Sequence, residues 1–112
     1  MIRDMLMDDA IRLKATRQLS LALDAESETY LYIVKNSGLF KIGYSKNWNK
    51  REKSYKTHLP SYELVYLLKS FNSFELEGEL HILFDKNRVK GEWFNLTDAE
   101  VLKAISICSL KQ

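Results

Sequence analysis

From residue 29 onward the hydrophobic period changes along the chain, two residues in some stretches and about 3.6 in others, and the changes mark the predicted elements. Tyr30, Tyr32 and Val34 alternate with Leu31 and Ile33, Asn36-Ser37-Gly38 supplies turn chemistry, and Leu39 to Gly43 returns as a second strand. This is the pattern of a β-hairpin. A two-residue turn at Ser37-Gly38 sets Tyr32 opposite Gly43 and diagonal to Lys41 on one face. Asn47 is placed to cap a helix that opens at Trp48 and is ended by Leu59-Pro60, and Arg51 and Tyr55, four residues apart, share one of its faces. A third strand follows from Glu63 to Lys69. Its nearly continuous Leu64-Val65-Tyr66-Leu67-Leu68 predicts burial on both faces or a central place in the sheet. Asn72 or Ser73 caps a second helix, in which Leu76, Leu80, Leu83 and Phe84 form an apolar stripe while Glu77 and His81 occupy a neighbouring face. Gly91-Glu92-Trp93-Phe94 reads as a short return strand. Thr97-Asp98-Ala99-Glu100 has the form of a capping box and opens a last helix carrying Val101, Leu102, Ile105 and Leu110.

Ahead of this region, Met7, Ile11, Ala15, Leu19 and Ala22 recur about one turn apart, with Arg12, Lys14, Arg17 and Gln18 off the stripe. The spacing predicts a helix over about residues 8–23, joined to the rest by a polar linker, Asp24-Ala25-Glu26-Ser27-Glu28. Its stripe is suited to packing on the domain, on a second copy or on a partner; a DNA-binding arm is the sharper alternative. The expected organisation is an N-terminal helix and linker, 1–28, and a main domain, 29–112. The expected fold is α/β (α+β), with a small, mainly antiparallel sheet of three to four strands flanked by helices, in the order αββαβαβα, and no internal repeat.

Length and composition bound the picture further. A chain of 112 residues, 46% hydrophobic, builds one core with little room for a second. The net charge of +2 is far from that of a basic tail, so any case for nucleic acid rests on where charge is placed. The lone Cys108 excludes an intramolecular disulfide and a thiolate zinc site, which suits a reducing compartment. Acids interrupt the N-terminal apolar residues, and no segment has the length of a membrane span. These features predict a soluble, intracellular protein.

Several residues resemble, in order, the motifs of the GIY-YIG nuclease superfamily. Tyr30-Leu31-Tyr32 is similar to the first motif and Lys41-Ile42-Gly43 to the second, followed by helical Arg51 and helical Glu77. Leu76-Glu77 with Leu80-His81, then Gly91-Glu92-Trp93-Phe94, resembles more specifically the phage-type branch, the meiotically up-regulated gene type domain. The likeness spans roughly residues 29–100. Two departures stand out: Tyr30 where the first motif often has Gly, and Lys41 in place of the second motif's Tyr, which leaves one of two phenols. The resemblance implies a divalent-metal-dependent endonuclease acting on DNA, in which Tyr32 serves the attacking water, Arg51 stabilises the scissile phosphate and Glu77 is the metal ligand.

The chemistry of these residues agrees with those roles. Hydrolysis of a phosphodiester needs a water with a base or orienting group, positive charge on the phosphorane and a Lewis acid at the leaving oxygen. Tyr32 suits the first if nearby cations favour its phenolate, and Lys41 is placed on its hairpin face to do that. Arg51 offers a planar fork for phosphate oxygens. Glu77 offers hard oxygen to Mg²⁺ or Mn²⁺ completed by water and substrate phosphate, although an exposed helix acid beside Glu75 and Glu79 is the plain alternative. His81 is a candidate second ligand or a structural hydrogen-bonder. Tyr30, Tyr55, His58, Glu92 and Asn95 form a second tier of catalytic or phosphate-binding candidates. Lys46, Lys50, Lys53 and Lys56, interleaved with Trp48, Tyr55 and His58, are the densest basic and aromatic segment, and Lys86, Arg88 and Lys90 the next; both suit DNA phosphates. Trp93 and Phe94 are expected in the core. Two rivals remain: a binding module that engages nucleic acid without cutting it, and an assembly domain built on the N-terminal helix.

Overall fold

The computed structural model describes residues 28–112. The predicted N-terminal helix, its linker up to residue 27 and the contacts expected of them lie outside the described residues. Five strands form one antiparallel sheet: β1 (Thr29–Asn36), β2 (Leu39–Ser45), β3 (Glu63–Ser70), β4 (Arg88–Lys90) and β5 (Trp93–Phe94), in the spatial order β3-β1-β2-β5-β4. Helix α1 (Trp48–His58) follows β2, α2 (Ser73–Leu83) follows β3, and α3 (Asp98–Leu110) closes the chain. The α+β class is as expected, with five strands rather than three or four. No described helix is long and apolar enough to cross a membrane.

The hairpin forms in the expected register. Ser37 and Gly38 both take positive φ, 53° and 80°, as a two-residue turn matched to strand twist requires. Tyr32 then pairs with Gly43, and Val34 with Lys41. Strand β1 is an interior strand between β3 and β2, with Leu31, Tyr32, Ile33 and Val34 all inaccessible, because both its faces are covered. Leu31 and Ile33 join Ile42, Leu76, Leu80, Phe94, Val101, Ala104 and Cys108 in the larger core, beneath α2 and α3. Tyr32 and Val34 face the other way and pack with Trp48 and Tyr55 of α1. At about 25 cal/mol per Å² of apolar area, these two layers supply the main driving force for folding.

The helix ends follow their sequence signals. Asn47 accepts a hydrogen bond from Lys50 N, and Thr97 with Glu100 forms a complete capping box. Asn72 occupies the cap position of α2, but its side chain makes no capping bond and instead reaches Ser70 and the Lys111 carbonyl. Cys108, fully buried, has its thiol pushed up to about 11, first by desolvation and then by Glu79, so it is a packing residue rather than a nucleophile.

Three expectations are corrected. β3 lies at the sheet edge, not at its centre, and exposes Leu64, Val65 and Leu67. Only Tyr66 and Leu68 turn to the larger core, and the register with β1 shifts between Ile33 and Val34. The apolar run therefore reflects one buried row plus an apolar outer row. In α2 the buried stripe is Leu76, Leu80 and Phe84 without Leu83, which is exposed. In α3 it is Val101, Ala104 and Cys108, while Leu102 and Leu110 face solvent, because the smaller Ala and Cys fit against the sheet.

Candidate active site

On the α1 side of the sheet, two phenols and a guanidinium meet. Tyr32 Oη lies 2.8 Å from Tyr55 Oη and accepts a hydrogen bond from Arg51 Nη1 at 3.1 Å. Three local features bring them together. The hairpin register places Tyr32 over Gly43, whose missing side chain leaves room for the phenol ring. The Asn47 cap starts α1 so that Arg51 and Tyr55, one turn apart, look down on that ring. Trp48 packs on the Tyr32 ring, with centroids 5.0 Å apart, and fixes its rotamer.

Lys41 shares this face, as expected. Its ammonium stands 5.4 Å from the Tyr55 ring centroid, 5.9 Å from that of Trp93, and 3.9 Å from a carboxylate oxygen of Glu92. The expected effect on Tyr32, however, is reversed. Burial is the largest cause holding the Tyr32 proton on, and the hydrogen bond with Tyr55 and the charges of Tyr55 and Glu92 add to it; Arg51 opposes them without prevailing. Tyr32 is thus a neutral phenol, raised well above its ordinary pKa. For Arg51 desolvation is the largest influence and pulls downward, but the Tyr32 and Tyr55 oxygens together outweigh it, and the guanidinium stays charged.

Glu77 belongs to the opposite side of the sheet, on α2, and is 5% exposed. The solvated-acid alternative does not apply to it; Glu79 is the surface acid, paired with Lys111 at 2.8 Å. Phe74, Glu77 and His81 lie on one stripe of α2, spaced three and four residues apart. Phe74 packs on Tyr44, and His81 Nε2 bonds the Ile42 carbonyl at 2.7 Å, so the stripe runs along β2 on either side of Gly43. β5 pairs with β2 at Phe40 and Lys41 and last contacts it at Ile42 N, so the Gly43–Ser45 end of β2 extends past β5. Glu77 is therefore placed beside the glycine that carries the Tyr32 ring on its other face. Among the described residues no three His, Cys, Asp or Glu side chains could together hold a metal ion. One carboxylate fits only a Mg²⁺ or Mn²⁺ ion that water and substrate phosphate complete. His81 does not fit as a ligand through Nε2, which is committed to a backbone carbonyl, and its ring packs on Phe94 at 5.1 Å.

The second tier divides. Tyr55 is at the centre of the cluster, and Glu92 is beside it. Tyr30 packs at its margin, with the Lys69 ammonium 5.9 Å from its ring centroid. His58 is not brought in: it is exposed at the end of α1, its Nδ1 on the Ser54 carbonyl. Asn95 is not brought in either, since it follows Phe94, which pairs with Phe40, and its backbone bonds to Asn87 at the hairpin-turn end of β2. Lys46, Lys50, Lys53 and Lys56 are exposed, and Lys56 is within 4.0 Å of Glu52. The aromatics among them face inward: Trp48 and Tyr55 are buried. Arg88 is committed to Asp85, the Gly91 carbonyl and the Phe94 ring, and Lys86 and Lys90 are exposed beside it. Phe94 is in the core as expected, but Trp93 is half-buried on the site face. Sequence reasoning ranked Tyr55 too low and passed over Trp48 as a packing partner; the spacing of both from Arg51 was the available signal.

No curated protein and no solved structure matches the chain. A family model, the T5orf172 domain, matches residues 29–109 and so takes in the whole sheet, the phenol and guanidinium cluster and Glu77. That family is phage-associated and related to nucleases of GIY-YIG-like or HNH type. With most of its length covered, the chain belongs to the T5orf172 domain family.

Proposed function

We propose that this domain is a divalent-metal-dependent endonuclease that hydrolyses DNA phosphodiester bonds. The observation that carries the reading is the convergence of Tyr32, Tyr55 and Arg51 within hydrogen-bond distance, at positions that follow the nuclease motif order, with Lys41 and Glu92 alongside. Arg51 holds the scissile phosphate, and its charge, kept by two phenol oxygens, meets the charge that develops on the phosphorane. Tyr32 and Tyr55 fix the guanidinium as neutral hydroxyls. Lys41 adds a second cation on the same face. Glu77 would hold Mg²⁺ or Mn²⁺, which supplies Lewis-acid stabilisation at the leaving oxygen. The exposed lysines of α1 track the backbone without reading sequence.

A rival from another class, a nucleic-acid-binding module without cleavage, is favoured by two observations: the Tyr32 hydroxyl is closed off and keeps its proton, and Glu77 lies across the sheet from the phenols and Arg51. Arg51→Lys separates the two. A lysine preserves the charge but not the fork that serves phosphate and phenols together. Single-turnover cleavage is expected to slow about 10- to 100-fold while affinity at fixed salt changes less than about threefold. An unchanged cleavage rate would make Arg51 a structural residue; cleavage absent from the wild type as well would leave the binding module.

A further inference from the structure

We propose that Glu92 accepts the proton of the attacking water, an assignment that rests on the nuclease reading above. Glu92 immediately precedes β5, and its carbonyl accepts a hydrogen bond from Ile42 N at 3.3 Å, which fixes its backbone at the level of Ile42 and Gly43. Its side chain is 43% exposed and stands 3.9 Å from Lys41 Nζ, on the face where Tyr32, Tyr55 and Arg51 converge. At that distance the pairing is electrostatic and loosely held. A phosphate oxygen arriving at Lys41 can therefore take the ammonium and release the carboxylate.

Around Glu92 stand Lys41 from β2, Tyr32 from β1, on which its charge acts, and Arg88, which binds the adjacent Gly91 carbonyl, while Tyr55 and Arg51 from α1 bond to Tyr32. Of these, the phenols are the only other oxygen bases, and both are buried. Burial and the Glu92 charge itself keep the Tyr32 proton in place. The Glu92 carboxylate is open to water, and the buried phenols are not. In the step assigned here the water oxygen forms a bond to phosphorus and its proton passes to a Glu92 carboxylate oxygen. The ester P–O bond breaks, its electron pair stays on the departing oxygen, and that oxygen takes a proton from solvent. Glu92 then returns its proton to solvent.

The test is the pH dependence of single-turnover DNA cleavage by the wild type, Glu92→Gln and Glu92→Ala, with binding and melting measured on each. In the wild type the rate rises with pH along an acid limb. Glu92→Gln is expected to bind within about twofold of the wild type, to cut about 100-fold more slowly and to lose that limb. Added formate, a free carboxylate, is expected to restore about tenfold or more of the rate to Glu92→Ala, where the side chain leaves room for it, and nothing to the wild type. A residue that only tethers Lys41 would give neither the lost limb nor the rescue. A Glu92→Gln profile parallel to the wild type, together with no formate rescue in Glu92→Ala, overturns the assignment and leaves the nuclease reading intact. Absence of wild-type cleavage at every pH overturns both.

Discussion

Glu77→Gln is expected to fold, bind DNA as the wild type does, and lose Mg²⁺- or Mn²⁺-dependent cleavage by about 10³-fold or more. The amide matches the carboxylate in shape but lacks the anionic oxygen that a hard cation requires. Charge stabilisation at a leaving oxygen is worth several kcal/mol, and each 1.36 kcal/mol is about a factor of ten in rate. Glu77 is 5% exposed, so the substitution also tests whether its burial serves packing or chemistry. If it serves packing, the melting temperature will shift and cleavage will fall only in proportion to the folded fraction. The reading above requires a nearly unchanged melting temperature with cleavage gone. Full cleavage by a well-folded variant would remove Glu77 from the site.

Gly43→Ala is expected to damage both the fold and the site. A Cβ at this position would sit inside the Tyr32 ring, against Cζ and Oη and 2.7 Å from Cε1. Gly43 has no positive φ, so the requirement is for space and not for backbone freedom. The ring has little room to yield, since Trp48 and Tyr55 pack on it and both its neighbours in β1 are inaccessible. Either the β1–β2 pairing opens or the phenol swings away from Tyr55 and Arg51. Overpacking of this kind costs about 1–3 kcal/mol, or about 4–8 °C in melting temperature for each kcal/mol in a domain of this size. Cleavage should fall by more than the stability loss explains, because the hydroxyl leaves its partners. A variant that keeps wild-type melting and cleavage would show that the ring packs otherwise in solution.

The two strands that build the site were legible because their signal is local. Ser37-Gly38 fixes the turn, the turn fixes the register, and the register puts Tyr32 on Gly43 and near Lys41. Capping chemistry likewise placed the starts of α1 and α3. The position of β3 was not legible, because a row of apolar residues looks the same whether its outer face is covered or open to solvent. The same limit hid the exposure of Leu83, Leu102 and Leu110 and the burial of Glu77, which depend on what packs across the sheet. At the site, motif order and helical spacing singled out Tyr32, Lys41, Arg51 and Glu77, of which the first three share one face of the sheet while Glu77 lies on the other, and they did not show that Tyr32 holds its proton. Burial of Tyr32 outweighs the cation that charge counting alone would credit. The inward turn of Trp48 and Tyr55, away from the exposed α1 lysines, also follows only from tertiary packing.

On the proposed reading the cluster around Tyr32 cuts DNA and does not merely hold it. Its most direct test is single-turnover cleavage of supercoiled and single-stranded DNA by the wild type and Tyr32→Phe, with Mg²⁺ or Mn²⁺, beside binding at one stated salt concentration. Tyr32→Phe removes one oxygen and leaves the ring packed on Trp48, at a cost of about 1 kcal/mol in stability for the lost hydrogen bonds. The wild type is expected to cut, and the variant to bind equally well but to cut about 100-fold more slowly, because Arg51 loses the oxygen that positions it. A wild type that binds and never cuts with either ion, or a Tyr32→Phe variant that cuts at the full rate, would contradict that reading.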